Sequence, residues 1–167
     1  ILTHSDCPSE GSTEHANMAT RRAVYMSLVG GLRWVADMTR PEVAYAASQR
    51  ARYLANPGER HFNAAIRVLI YLDGSRSRRL VFTPNSTLPL ETYVDSSWAT
   101  RFSCSGALFL YHGCPFHWFA KVQRSVTLSS AEAEYFGAML AAKDAIFLRD
   151  LLVELGITFN GPTVIFS

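Results

Sequence analysis

The spacing of apolar residues changes near residue 79, and this change constrains the fold more than any other feature of the sequence. Between Tyr25 and Leu72, apolar residues recur every three or four positions, which is typical of amphipathic helices. After Arg79, short apolar runs alternate with turn residues, which is typical of strands. The sequence therefore predicts an α+β chain, with helices in its N-terminal part and a sheet in its C-terminal part.

Three helices are predicted in the N-terminal part, because turn signals divide its apolar pattern into three segments. The predicted helices cover residues 22–38, 41–55 and 59–72. They form a three-helix unit at residues 22–78. The preceding residues 1–21 are polar and without a pattern, so they are predicted to be an arm or linker.

Four strands and one long helix are predicted in residues 79–167. The predicted strands cover residues 88–94, 107–111, 116–120 and 162–166, and the short connections between the first three favour antiparallel pairing. The helix begins after Ser129, which forms a capping box with Glu132, and reaches Leu155. Because such a helix is unusually long for a globular protein, we expect a kink or break in it.

Charge is unevenly distributed along the chain. Residues 1–80 contain eleven Arg and seven acidic residues, a net charge of +4, whereas residues 81–167 contain five basic and seven acidic residues, a net charge of −2. This distribution indicates a polyanionic partner for the first part and a carboxylate-rich site in the second. Chance surface composition is the alternative interpretation.

The cysteine pattern and the ends of the chain indicate its class. Cys7, Cys104 and Cys114 are widely spaced and form no CxxC pair, which argues against a zinc site or a disulfide framework and favours a reduced, intracellular protein. No apolar stretch approaches the roughly 20 residues that span a bilayer. The chain begins at Ile1, without an initiator Met or a signal-peptide pattern, so we interpret it as a piece of a longer polypeptide.

Asp95 is the first candidate functional residue. It follows an apolar strand, where an ionised carboxylate is costly unless it is paired or bound to a metal. A turn-forming Asp at a strand end is the alternative.

Glu134 is the second candidate, and its place on the long helix separates it from Glu132. The two are about 200° apart around the helix axis, and Glu132 already has a capping role. Glu134 shares a face with an apolar stripe, so it is predicted to point inward, as a metal ligand or as a satisfied core acid. The stripe consists of Ala138, Ala141, Ala145, Leu148 and Leu152. An Asp and a Glu on rigid elements are suited to a two-metal hydrolase site, because magnesium prefers carboxylate and water oxygens.

Several ordered motifs resemble the ribonuclease H domain of copia-type retrotransposon Pol polyproteins. The opening Tyr-Ser-Asp-Ala-Asp-Trp-Ala of that domain is similar to residues 93–99, and its Leu-Ser-Ser-Thr-Glu-Ala-Glu-Tyr is similar to residues 128–135. Further similarity lies at Ser105-Gly106, at Trp118 with Lys121-Val122-Gln123, and at residues 148–156. The N-terminal part resembles the end of the reverse transcriptase that precedes this domain, at residues 25–36, 39–44 and 57–72.

The resemblance implies a fold and an activity. The fold would be a three-helix, thumb- or connection-like segment followed by a ribonuclease H-like domain of three antiparallel strands, a long helix and a fourth strand. The activity would be hydrolysis of the RNA strand of RNA–DNA hybrids with two Mg²⁺ (or Mn²⁺) ions. The resemblance assigns the first two metal ligands to Asp95 and Glu134.

The resemblance also implies partners and contacts. The partners would be an RNA–DNA hybrid or other nucleic acid and the remainder of a Pol polyprotein, in the cytoplasm, a virus-like particle or the nucleus, with no membrane. The residues expected to contact nucleic acid are Lys121, Gln123, Ser129, Ser130 and Arg67.

The chain departs from the family pattern in three places. Ser97 replaces the second Asp of the opening motif, and the family's third carboxylate would come immediately after Ser167. The Asp-Asp motif of the polymerase is absent from the sequence. A truncated, catalytically dead relic that keeps the fold and binds nucleic acid is therefore the alternative to a nuclease, and an unrelated α+β binding module is a third interpretation.

Overall fold

The computed structural model describes residues 2–99, 103–123 and 125–167. The chain divides into two compact units, Ile1–Arg79 and Leu80–Ser167. The first unit contains the helices α1 (Thr13–Met38), α2 (Ala44–Ala51) and α3 (Glu59–Gly74), with short 3-10 helices at His4–Asp6 and Pro41–Val43. The second contains β1 (Leu90–Ser97), β2 (Cys104–Tyr111), β3 (Cys114–Val122), α4 (Ser130–Glu154) and β4 (Val164–Phe166).

The three helices of the first unit pack around one apolar core. Tyr25 and Val29 of α1 and Ala65 of α3 are completely or almost completely buried in it. The Tyr25 hydroxyl donates a hydrogen bond of 2.9 Å to the carbonyl oxygen of Arg50. The same carbonyl also accepts a bond of 3.2 Å from the Tyr53 backbone N–H, so the Tyr25 hydroxyl links the end of α2 to the core.

The first twenty-one residues differ from the predicted arm. The helix α1 begins at Thr13 because the Ser12 hydroxyl caps it, accepting a hydrogen bond of 3.1 Å from the backbone N–H of His15. The preceding residues are bound to the turn that follows α2, since the Tyr53 hydroxyl donates to the carbonyl of Leu2 and the Asn56 amide donates to that of Pro8, both at 3.0 Å. This segment is therefore part of the first unit.

The sheet of the second unit has the order β3-β2-β1-β4. β1, β2 and β3 pair antiparallel, as predicted, and β4 lies parallel to β1. His112 and Gly113 form the two-residue turn between β2 and β3, and both have positive φ angles, 48° and 83°. That combination matches the twist of a tight hairpin.

The helix α4 covers one face of this sheet. Its buried residues are Ala133, Gly137, Ala141, Ala145, Leu148 and Leu152. Ala141, Ala145 and Leu148 form one core cluster with Leu90 and Val94 of β1 and with Ala107 and Phe109 of β2. α4 runs without interruption from Ser130 to Glu154, so the expected break does not occur. The prediction of an α+β chain, with N-terminal helices followed by a sheet and a long helix, is confirmed.

Candidate functional site

Three strand ends and the start of α4 meet at one end of the sheet. In the antiparallel ladder, Ser97 at the end of β1 pairs with Cys104 at the start of β2, and Cys104 pairs with Val122 at the end of β3. Ser96 of β1 lies against Gly137 of α4. The predicted residues Asp95, Gln123 and Ser129 all belong to this end of the unit.

Asp95 lies on the sheet face opposite α4. Burial alternates along the second half of β1, with Val94 and Ser96 buried and Tyr93, Asp95 and Ser97 exposed. The ring of Tyr93 stacks on that of Phe166 in β4, with 4.9 Å between the ring centroids. Asp95 is therefore a solvent-accessible carboxylate within a strand, beside an aromatic pair, and is not a turn residue.

Glu134 is exposed, so the predicted inward orientation is wrong. The apolar stripe is confirmed at Ala141, Ala145, Leu148 and Leu152, whereas the buried positions at the start of α4 are Ala133 and Gly137. Glu134 has the same angular position as Leu152, about five turns further along. It differs in burial because it lies in the first turns of the helix, where its side chain remains in contact with solvent.

Glu132 has the capping role that was predicted, with one difference in its partner. The Ser129 hydroxyl accepts a hydrogen bond of 3.1 Å from the Glu132 backbone N–H. The Glu132 carboxylate accepts a bond of 2.6 Å from the backbone N–H of Leu128, one residue before the cap. Both bonds satisfy N–H groups that a helix start would otherwise leave free.

Gln123 holds the start of α4 against the sheet. Its amide nitrogen donates to the Ser105 hydroxyl at 2.8 Å and to the Ala133 carbonyl at 2.9 Å. The Ser96 hydroxyl donates to that of Ser105 at 2.9 Å. Gln123 and Ser105 are 1% and 0% exposed, so the Gln123 amide is bound to the protein, and its contact with nucleic acid stays a prediction.

A second group of hydrogen bonds holds the segment before α4. The hydroxyl groups of Ser103 and Thr127 are bonded at 2.8 Å, and the indole N–H of Trp98 donates to the Thr127 carbonyl at 3.0 Å. The Gln123 backbone N–H donates to the Ser103 carbonyl at 2.8 Å. The side chains of Trp98, Ser103 and Thr127 therefore have hydrogen-bond partners within the protein.

The other residues predicted to contact nucleic acid are solvent-accessible. Lys121 is exposed on β3 and lies 3.4 Å from Asp144 of α4. Ser129 and Ser130 are exposed at the start of α4, and Arg67 is exposed on α3 in the first unit.

The carboxylates of the described residues do not form a complete metal site. Among residues 2–99, 103–123 and 125–167, no group of three or more His, Cys, Asp or Glu side chains could hold a metal ion.

The last strand, β4, lies next to the strand that carries Asp95. Tyr93 pairs with Phe166 in parallel register, so the C-terminal end of β4 lies beside β1 two residues before Asp95.

Sequence comparison identifies proteins that are similar to this chain. It is 36% identical over 160 residues to the retrovirus-related Pol polyprotein from transposon TNT 1-94 of Nicotiana tabacum, a match that covers 93% of this chain and 12% of that protein. It is 34% identical over 146 residues to the corresponding polyprotein from transposon RE2 of Arabidopsis thaliana, covering 85% of this chain and 10% of that protein. The chain belongs to the copia-type retrotransposon Pol polyprotein family.

The chain spans about a tenth of the length of these Pol polyproteins. A shorter relative, secreted RxLR effector protein 161 of Plasmopara viticola, is 37% identical over 128 residues, which cover 74% of this chain and 90% of that protein. No protein-family model matches the chain. No solved structure matches it either. Within the described residues, no helix is long and apolar enough to cross a membrane.

The sequence alone did not indicate that Ser96, Ser105 and Gly137 meet where α4 lies against the sheet. A signal was present for the serines, because each lies two residues from a buried apolar residue of its strand, Val94 or Ala107. The alternation of a strand places such residues on the same face. For Gly137, the signal would have been a glycine inside the predicted long helix.

Proposed function

We propose that this chain is the ribonuclease H portion of a copia-type Pol polyprotein, preceded by the end of the reverse transcriptase. In this proposal the parent protein hydrolyses the RNA strand of RNA–DNA hybrids, and Asp95 and Glu134 contribute to binding two Mg²⁺ or Mn²⁺ ions. Such ions supply an activated water and stabilise the leaving oxygen of a phosphodiester. The chain's own contribution is to hold the first carboxylate on a rigid strand.

The observation that carries the proposal is the position of Asp95. It is an exposed carboxylate in a central strand of the sheet, in a chain homologous to Pol polyproteins. β4 pairs in parallel with β1, with Phe166 opposite Tyr93, and the family pattern has its third carboxylate at the end of such a fourth strand. The order of three antiparallel strands, a helix and a fourth strand is also the one expected for such a domain.

The described residues include no group of three or more potential metal ligands, whereas the family pattern has three carboxylates. The test therefore compares two chains: the 167-residue chain and the same chain extended by about fifty residues of its parent polyprotein, roughly what the remaining elements of such a domain require. Each is incubated with a labelled RNA–DNA hybrid, with and without Mg²⁺. We expect magnesium-dependent cleavage of the RNA strand by the extended chain only.

Variants of the extended chain identify the carboxylates that matter. Asp95→Asn is expected to abolish cleavage, while Asp150→Asn, which changes an exposed carboxylate in the second half of α4, is expected to leave it intact. Unchanged cleavage by Asp95→Asn would refute the assignment. If the extended wild-type chain binds the hybrid and does not cut it, the alternative of a catalytically dead relic replaces the nuclease.

A further inference from the structure

His61 of α3 is a buried imidazole that caps the start of its own helix. It is 0% exposed, and its Nδ1 atom accepts a hydrogen bond of 2.9 Å from the backbone N–H of Gly58, the residue before α3. This bond satisfies one of the N–H groups that a helix start leaves free. Because Nδ1 accepts, the imidazole is neutral and carries its one proton on Nε2.

The second ring nitrogen of His61 has no comparable partner. Nε2 is buried, and it forms no hydrogen bond of ordinary geometry with a residue that the structure describes. A second proton could be added only to Nδ1, where it would point at the Gly58 N–H, so that two donors would face each other. Protonation therefore breaks the cap, and it also places a charge in the protein interior, which is unfavourable.

Tyr53 connects His61 to the N-terminal segment, which we define as Leu2–Pro8. The rings of Tyr53 and His61 are stacked, with 4.0 Å between their centroids. The Tyr53 hydroxyl donates to the carbonyl of Leu2 at 3.0 Å, and the ring of His4 lies edge-on to that of Tyr53 at 5.5 Å. A change at His61 is therefore passed to this segment through one aromatic side chain.

The same segment also contacts the residues on either side of the cap. A Cβ atom on Gly58 would overlap the carbonyl oxygen of Asp6, so the two backbones touch directly. Arg60, the residue before His61, is paired with the Asp6 carboxylate. The N-terminal segment therefore rests on the start of α3, and its contacts require that the cap be formed.

The groups around His61 favour its neutral form. Burial is the largest influence and lowers the pKa of His61, while the backbone of Thr3 and the Asp6 carboxylate raise this pKa by less. Arg60 lowers the pKa and Glu14 of α1 raises it, both more weakly. A form in which His61 is exposed therefore takes up a proton more readily than the folded form, so acidification favours exposure.

We propose that His61 is a pH-responsive latch, in which the neutral imidazole holds the N-terminal segment on the start of α3 and protonation releases it. Release separates Asp6 from Arg60 and removes Leu2 from the cleft between α2 and α3, which Leu2 lines together with Arg60. The first unit then has two forms that differ in the exposure of this cleft. The latch lies within the first unit and does not depend on the proposed function.

The latch is tested by nuclear magnetic resonance of the 167-residue chain between about pH 7.5 and about pH 4.5, a range that includes the ordinary histidine pKa. The ring signal of His61 reports its protonation, and amide-exchange protection of the Gly58 N–H reports the cap. We expect this protection to fall about five- to tenfold, the loss of one helix cap. Its midpoint should coincide with that of the ring signal, below the ordinary pKa, and the signals of residues 2–8 should shift in parallel.

Two variants make the test specific. His61→Gln keeps an acceptor for the Gly58 N–H, because Gln at the third helical position serves in capping boxes, but it has no ring to protonate. Its Gly58 protection should stay constant over the same range. His4→Gln removes the other imidazole that contacts Tyr53 and is the matched control, expected to keep the wild-type transition. Circular dichroism near pH 7.5 checks that the helices of each variant are intact.

Three results would overturn the latch. One is constant Gly58 protection in the wild-type chain throughout the range. Another is a midpoint of that protection that differs from the midpoint of the His61 ring signal. The third is the wild-type loss of protection in His61→Gln, which would assign the transition to the carboxylates of Asp6 and Glu14. The first two require only the wild-type chain, so a variant that fails to fold does not prevent a decision.

Discussion

Gly137 of α4 lies against Ser96 of β1 so closely that a Cβ atom on Gly137 would overlap the Ser96 hydroxyl oxygen. That hydroxyl cannot turn away without losing its hydrogen bond of 2.9 Å to Ser105. Because Gly137 has no side chain, α4 can lie this close to β1, the strand that carries Asp95.

Gly137→Ala is expected to destabilise the second unit. The added methyl group forces a shift that costs about 1–3 kcal/mol, partly offset by the gain of about 1 kcal/mol in helix propensity. The free energy of unfolding is measured in urea through Trp98 and Trp118, in a chain carrying Trp34→Phe. Gly30→Ala is the control, because no atom lies within 4 Å of a Cβ placed there, and it should stabilise α1 when unfolding is followed through Trp34 in a chain carrying Trp98→Phe and Trp118→Phe. Equal stabilisation by both substitutions would show that the Ser96 contact is loose.

The elements predicted best were those that local sequence determines. The turn at residues 56–58 and the start of α3 at Glu59 were both predicted, because Pro57 and Gly58 end one segment and the following apolar positions have a clear helical period. The hairpin at His112-Gly113 was equally recognisable, because a glycine in a short polar break between two apolar runs is a local signal.

The features that the sequence did not reveal depend on tertiary contacts. Residues 13–21 look like a polar arm because they add few apolar residues to the stripe of α1, of which Met18 is buried. Gln123 is a polar residue, so the sequence alone suggests that it lies at the surface. It is buried because it bonds to Ser105 and Ala133, which are distant in sequence. Glu134 has the angular position of a buried residue and is exposed because it lies near the helix start, which periodicity alone cannot take into account.

Gln123→Leu should destabilise the second unit more than the substitution of an exposed residue of that unit does. The change removes the two buried hydrogen bonds that the Gln123 amide nitrogen donates to the Ala133 carbonyl and the Ser105 hydroxyl, which costs about 0.5–1.5 kcal/mol for each bond. Lys121→Leu, two residues earlier in β3, removes an exposed side chain 3.4 Å from Asp144 and should cost less than about 1 kcal/mol. Urea unfolding of the two variants gives the comparison, and similar losses would contradict an internal role for Gln123.

Ser129→Ala should weaken the start of α4 by about 1 kcal/mol, because the Glu132 backbone N–H loses its side-chain acceptor. Ser130→Ala changes the neighbouring exposed hydroxyl without removing this cap, so it serves as the control. Amide hydrogen exchange of residues 131–134 provides a local measurement. Faster exchange only in Ser129→Ala is the expected result, and equal exchange rates in the two variants would mean that the cap contributes nothing.

Tyr25 should make the first unit sensitive to alkaline pH. Burial raises the pKa of Tyr25 from its ordinary value of 10 to about 12, because the phenolate would lie in the core and the hydroxyl would no longer donate to Arg50. Between these two values the folded protein retains a proton that the unfolded chain releases. The contribution of Tyr25 to the free energy of unfolding is therefore fully present below pH 10 and is lost as the pH rises toward 12. The total loss is about 2–3 kcal/mol.

The measurement is urea unfolding between pH 9 and 11.5, followed through Trp34 in chains carrying Trp98→Phe and Trp118→Phe. The same series in Tyr25→Phe gives the contribution of this hydroxyl, because every other tyrosine, lysine and arginine titrates in both chains. Tyr25→Phe should be less stable than the parent near pH 9, where the parent still has its hydrogen bond to Arg50. It should lose less stability as the pH rises, so that the two curves converge, whereas parallel curves would mean that Tyr25 ionises in the folded protein as readily as in the unfolded chain.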